Sequence, residues 1–486
     1  MQSHRFSAGR RSFLTRSAGG VVSASTLSLF AAHAALGQGH NQGVNPTAGV
    51  SRGYGPLSPT PDQNGDPILA LPTGFSYVTF SKTGTPLVSG GGMVARNHDG
   101  MTALPGPDGT VRLIRNHEVR NAPGNFAFGI VGPTGTRYDP LGSGGTITVD
   151  YDPVARMPVR EFVSLNGTIV NCSGGLALHD AGWITCEETT AGPNQGWARK
   201  HGYNFLVPAG AMGTETAVAL TAMGRFAHEA SVADARSGIV YQTEDSGNNS
   251  GLYRFLPNDP EDLAHGGRLQ MLAVSGEPLF TGWTGQTVGK LLMCEWIDIG
   301  NPDPNLEAAI PEATCFRQGR DQGGAAFNRL EGIFRGEGGS IYFISTSGGA
   351  AQSGQLWQFR PAGPDKGTLT LVFESPSGSV LDSPDNLCVT PSGGILFCED
   401  DANPTPGHVD DTDPLAPGIT DVNRLIGLSR DGLPFPFAVN RLNDSEFAGA
   451  CFSPDAEILF VNIFGGGSAG SGMTCAITGP WRQGPL

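Results

Sequence analysis

An all-β fold, a six-bladed β-propeller with inserted loops and short helices, is what this 486-residue sequence predicts. Three observations carry the expectation. Gly (72) and Pro (36) are abundant while charged residues make up 15%, a composition suited to short strands joined by turns. A hairpin pattern, usually opened and closed by an acid, recurs along the chain. Further strand-like runs fill the intervals between its copies.

The copies justify the blades in order. The first and loosest runs from Asp99 to Glu118. Cys172 to Glu187 (CSGGLALHDAGWITCE) turns at His179 to Gly182, and Glu229 to Glu244 turns at Asp234 to Gly238. Glu331 to Ser345 turns at Gly336 to Gly339, Asp385 to Glu399 at Pro391 to Gly394, and Glu446 to Asn462 at Pro454-Asp455. In the five tighter copies the end residues lie 14 to 16 positions apart, which fits a hairpin with arms of about six residues. Runs such as Thr146–Tyr151, Leu252–Leu256, Leu356–Phe359 and Thr368–Phe373 supply outer strands. Six such units favour a propeller over a plain β-sandwich. Residues 258–325 read as an insertion within one domain covering 37–486, the alternative being a seventh blade without a matching hairpin.

The chemistry follows from where such hairpins end. The first and last residues of an antiparallel hairpin are neighbours, and the inner strands of a propeller surround a channel. Cys172, Glu229, Glu331, Asp385 and Glu446 should therefore ring one channel mouth, with Glu118, Glu187, Glu244 and Glu399 beside them. Like charges so placed repel one another, and bound cations would offset the repulsion. Carboxylates suit hard cations such as Ca²⁺. Cys172 suits a softer metal such as iron if it is a thiolate; otherwise it is a buried thiol or half of a disulfide. Arg329, two residues before Glu331, either forks onto a phosphate or carboxylate ligand or pairs with the surplus acids. Strand alternation turns His117, His228, Cys186 and Cys398 away from the channel, as structural residues.

Other function classes are disfavoured. There is no GxSxG elbow, P-loop, HExxH or CxxC zinc pattern. The eight Cys allow too many pairings for sequence to fix any disulfide. At the N-terminus, Arg10-Arg11 precedes an uncharged, Ala- and Ser-rich stretch and Ala32-His33-Ala34, a twin-arginine export signal over residues 1–36. Removing its four Arg takes the formal charge from −15 to about −19. So acidic a chain is not expected to bind nucleic acid, and no later stretch is long and apolar enough for a stable membrane anchor.

The motifs also carry a family likeness. LPTGFSY (71–77), NHE (116–118), NCSGG (171–175), TCEE (185–188), GRFAHEA (224–230) and YQTED (241–245) resemble the PhoX family of alkaline phosphatases. So do GLYRFLP (251–257), AAFNRLEGI (325–333), PDNL (384–387), EFAGACFSPD (446–455) and ITGPW (477–481). The resemblance implies an exported six-bladed propeller with a cluster of Fe³⁺ and Ca²⁺ ions. It implies an iron-bound thiolate at Cys172, metal ligands at Glu118, Glu187, Glu229, Glu244, Glu331, Asp385 and Glu399, and a phosphate contact at Arg329. It further implies a small phosphoester substrate, passage through the twin-arginine translocation machinery and a periplasmic or secreted destination; a monomer is expected. A calcium-stabilised binding propeller and a calcium-dependent lactonase-type hydrolase are the alternatives, and neither has a use for an iron thiolate.

Overall fold

Short runs of β-branched and aromatic residues, punctuated by Gly and Asp turns, form strands throughout the computed structural model, which describes residues 53–400 and 412–486. The export signal expected at residues 1–36 lies outside the described residues. Every expected hairpin forms, from His98–Pro105 with Val111–His117 to Phe447–Phe452 with Ile458–Ile463. Among the described residues the one α-helix is Cys315–Arg320.

The first strands of the six hairpins are His98–Pro105, Asn171–Leu176, His228–Ala233, Leu330–Arg335, Pro384–Val389 and Phe447–Phe452. Each packs against the next, and Phe447–Phe452 packs back against His98–Pro105, so they form a closed ring. Backbones approach closely within it: a Cβ at Gly175 would stand 1.5 Å from the Ser231 carbonyl oxygen, and one at Gly332 2.8 Å from that of Asp385. Apolar layers fill the spaces between sheets. In one of them Trp357, Phe327 and Phe343 meet edge to face with centroids 5.5 and 5.6 Å apart.

Hydrogen bonding divides the strands into five sheets, where six separate ones were expected. The difference lies in residues 258–325. Instead of standing apart as an insertion, they contribute Gly267–Val274 as the strand outside Leu252–Pro257. They then contribute Leu291–Asp298, which pairs with Gly267–Val274 on one side and with Gly367–Glu374 on the other. Two neighbouring four-stranded runs thereby become one nine-stranded sheet, and two outer edges that would be open to solvent are paired. The ring is latched differently at its ends. Ser76–Phe80 pairs with Met473–Thr478, so residues from both ends of the chain share a sheet.

One irregularity recurs in all six hairpins. Next to the channel mouth the first strand carries one extra residue, as between His228↔Glu244 and Ser231↔Gln242. The same slip occurs at His98/Met101, Asn171/Gly174, Leu330/Ile333, Pro384/Asn386 and Ala448/Cys451. A bulge of this kind re-aims the side chains beside it.

Candidate metal centre

The bulges decide which acids meet. Glu187 lies opposite Asn171, Glu244 opposite His228 and Glu399 opposite Pro384, each one place short of the expected partner. Opposed residues share a face of the sheet and neighbours alternate. The acid that follows each of these therefore turns toward the channel, and Glu118 does so because the paired residue there is His117.

Accordingly, a cavity of about 450 Å³ is lined by Asp99, Glu118, Cys172, Glu188, Glu229, Glu331, Asp385, Asp400 and Glu446, together with Arg96, Arg120 and Arg329. Of the residues expected there, Glu118, Cys172, Glu229, Glu331, Asp385, Glu446 and Arg329 are brought together. Glu187, Glu244 and Glu399 are not. Glu187 accepts hydrogen bonds from the backbone of Ile169 (3.0 Å) and Gly202 (2.9 Å) and meets His201 Nδ1 at 2.7 Å. Glu244 accepts from the Tyr253 hydroxyl at 2.6 Å. Glu399 is clasped by Arg424, whose Nε and Nη2 each donate to it at 2.7 Å. His117 and His228 are buried and bonded to the Arg96 and Gly224 carbonyls, facing away as expected. All eight cysteines are buried and unpaired.

Three groups of possible ligand atoms, each within 4.8 Å of one another, interlock: Asp99–Glu118–Cys172, Cys172–Glu188–Glu229 and Glu229–Glu331–Asp385. Asparagines fix the backbone beneath them. Asn116 Nδ2 donates to the Cys172 carbonyl at 2.9 Å and Asn462 Nδ2 to that of Asp99 at 2.6 Å, each tying one hairpin to the next.

The arrangement is electrostatically expensive without cations. Burial, then neighbouring carboxylates, pushes Asp99, Glu188, Glu229 and Glu331 well above the ordinary carboxylate range. Burial, then Asp99 and Glu229, pushes the Cys172 thiol up. Glu229 is fully buried and neither oxygen takes part in a well-formed hydrogen bond, although the Cys172 thiol lies near; Oδ1 of Asp99 and of Asp245 is likewise unpartnered. Buried polar atoms are nearly always satisfied. Orphaned carboxylate oxygens around a single thiol fit a set of metal ions, hard ones for the oxygens and a softer one at the sulfur.

Two arginines counter part of the charge. Arg329 Nη2 donates to Glu331 Oε1 at 2.7 Å and its Nε to Asp245 Oδ2 at 3.2 Å, and the Glu331 charge raises its pKa. Arg120 pairs with Glu118 and, at 2.5 Å, with Glu188. Asp99, Glu188, Asp245, Asp400 and the bridging Asn116 are missing from the sequence-derived ligand set. The signal for three of them was the acid doublet, Glu187-Glu188, Glu244-Asp245 and Glu399-Asp400, since consecutive strand residues point to opposite faces.

The chain matches the family model described as Alkaline phosphatase PhoX over residues 52–159 and 150–467. Among solved structures it is similar to Pseudomonas fluorescens PhoX in complex with vanadate, a transition state analogue. Identity is 18% and the TM-score 0.59, over 88% of this chain and 97% of that one. It also matches a putative gluconolactonase at 9% identity and a TM-score of 0.38, covering 87% of this chain and 98% of that one. A putative 6-phosphogluconolactonase from Bacteroides uniformis matches at 13% identity and a TM-score of 0.34, over 69% and 83%. No curated protein matches the chain.

Proposed function

Because the chain belongs to the PhoX family of alkaline phosphatases, which are phosphoric ester hydrolases, we propose that it hydrolyses phosphomonoesters in the acid-lined cavity, using Fe³⁺ and Ca²⁺. The observation that carries this is the set of three interlocked ligand groups, with the buried Glu229 oxygens left without partners and Arg329 beside them. We read the nine-stranded sheet as two blades fused by Leu291–Asp298, which makes the ring of inner strands a six-bladed propeller.

Asp99, Glu118, Cys172, Glu188, Glu229, Glu331 and Asp385 would hold the metals, with iron at the Cys172 end. When bound, such ions supply the positive charge that neutralises phosphoryl oxygens and acidify a water for attack. The chain's own residues do the rest. The ring of inner strands fixes the carboxylates, so no reorganisation is needed as charge builds up. Arg329 is anchored by Glu331 and Asp245 and is partly exposed to the cavity. It presents its fork to a phosphoryl group and steadies the charge spread over its oxygens. Asp99, Glu118, Glu229, Glu331 and Asp385 are buried, and the lower local dielectric strengthens each of these interactions. Glu187 and Glu399 serve as supports: they tie down the segments that carry Glu188 and Asp400.

Arg10-Arg11 would send the folded protein through the twin-arginine route to the periplasm or beyond, where it would act as a monomer on small phosphoesters. Among the described residues no helix is long and apolar enough to cross a membrane. The deciding experiment is elemental analysis of protein purified from that compartment, paired with an aryl phosphate assay. Iron and calcium together with turnover are expected. Calcium alone without turnover would favour a binding propeller. Replacing Cys172 with Ser should abolish iron binding and its thiolate colour while the fold persists.

A further inference from the structure

Arg96 differs from the other two arginines that line the cavity. Arg329 and Arg120 are each held by two carboxylates, whereas among the described residues Arg96 forms no ion pair. Its Nη2 donates to Asn121 Oδ1 at 2.6 Å, and its Nε is buried without a partner. Asn121 is itself locked, donating to the Asn125 and Ala127 carbonyls at 3.0 and 3.1 Å and to Ser143 Oγ at 3.1 Å. The backbone on either side is fixed as well: Arg96 N donates to the Phe128 carbonyl at 2.9 Å and its own carbonyl meets His117 Nδ1 at 2.9 Å. The guanidinium is thus oriented by neutral groups only. Facing it is Gly465-Gly466-Gly467, and a Cβ at Gly467 would stand 2.8 Å from Arg96 Nη1, so the missing side chain leaves that nitrogen open.

Its position matters as much as its freedom. The three ligand groups share members in a chain from Asp99 to Asp385; Arg96 lines the same cavity, three residues before Asp99 in the sequence, and Arg329 stands two before Glu331. Of the three arginines in the lining, Arg96 is the one that no described acid pairs with. We propose that Arg96 receives a second anionic group, a carboxylate or a further phosphate, on the organic part of the phosphoester. The proposal rests on the phosphatase reading and narrows its substrate class to phosphomonoesters that are anionic beyond the phosphoryl group.

The test measures calorimetric binding of two inert probes, 4-carboxybenzylphosphonate and benzylphosphonate, to metal-replete mature protein. The wild type should prefer the carboxylated probe by about ten- to a hundredfold, the range of one charge-assisted contact. Arg96→Gln should bring that preference close to unity, and Arg96→Lys, which keeps the charge without the fork, should retain part of it. A wild type with no preference, or an Arg96→Gln variant with the preference intact, overturns the proposal. So does equal weakening of both probes, which would put Arg96 on the phosphonate itself. Hydrolysis of 4-carboxyphenyl phosphate is followed in parallel. Its absence in the wild type would refute the phosphatase reading, while the phosphonate preference still decides the role of Arg96.

Discussion

Arg329 and Glu331 hold each other beside the cavity at 2.7 Å, with Arg329 kept in the left-handed backbone region at φ 46°. That conformation is uncommon for a residue with a side chain. Here it aims the guanidinium at Glu331 and at Asp245 at once.

Removing either partner should have different effects. Arg329→Ala takes away a donor to transition-state charge, and such losses cost on the order of 2.7–4 kcal/mol, or about a hundred- to a thousandfold in kcat. Metal content by elemental analysis should stay at the wild-type level. Glu331→Ala should lose metal and turnover together. If Arg329→Ala loses metal equally, the arginine is a support for the cluster and not a contact to substrate.

The paired acids 187 and 188 give a second contrast. Glu188→Gln should lower bound metal while thermal stability measured with chelator present changes little. Glu187→Gln breaks a buried network with His201, Gly202 and Ile169, and should cost about 3–5 kcal/mol, read as a fall in Tm. Metal per folded chain should persist in that variant. The reverse pattern would return Glu187 to the ligand set.

His201 should make stability fall at alkaline pH. Burial alone would lower its pKa, but the Glu187 charge and the hydrogen bonds to Asp139 and Glu187 outweigh it and raise it to about 9. A histidine whose folded pKa is raised contributes stability that is complete below its unfolded pKa of about 6.5 and is lost as pH climbs through the folded value. Tm should therefore decline from about pH 6.5 to about 9, and His201→Gln should flatten that slope. A wild-type Tm that is level across this window would contradict the assignment.

Stripping the metals should reverse the usual acid sensitivity of a protein. The raised pKa values of Asp99, Glu188, Glu229 and Glu331 mean that the metal-free folded state binds more protons than the unfolded chain. Stability then falls as pH rises above the ordinary carboxylate range of about 4. Chelated protein should melt higher near about pH 5 than near about pH 8, and adding Ca²⁺ should narrow the gap. Parallel melting curves with and without chelator would mean that the cluster is not a cation site.

The hairpins were legible because their cues are local: turn residues at fixed offsets and apolar arms of constant length. Which acids face the channel was not, because a bulge inserts one residue in each first strand without a sequence mark of its own. Glu187 and Glu188 are chemically alike, and only the Asn171↔Glu187 register tells them apart. Asp99 opens the loosest copy and lies outside the sequence-derived ligand set, yet its side chain sits in the first of the three groups. The fusion of two sheets was equally hidden, since Leu291–Asp298 reads as one more strand and nothing in it names two partners. Likewise Asn116 stands in the sequence as part of the NHE motif, but its bridge to the Cys172 carbonyl depends on a strand 56 positions away.

The shared sheet of Ser76–Phe80 and Met473–Thr478 sets an order of events. The early strand has no edge to join until residues about 400 positions later have been made, and the Tyr54 hydroxyl likewise waits for the Trp481 carbonyl. Without that pairing the edges of both strands would be unpaired, the sort of surface on which β-proteins clump. Contacts this distant in sequence make for slow assembly. The latch therefore makes closure depend on Met473–Thr478: a chain that stops short of that strand leaves its partner edge unpaired, sticky and open to proteases.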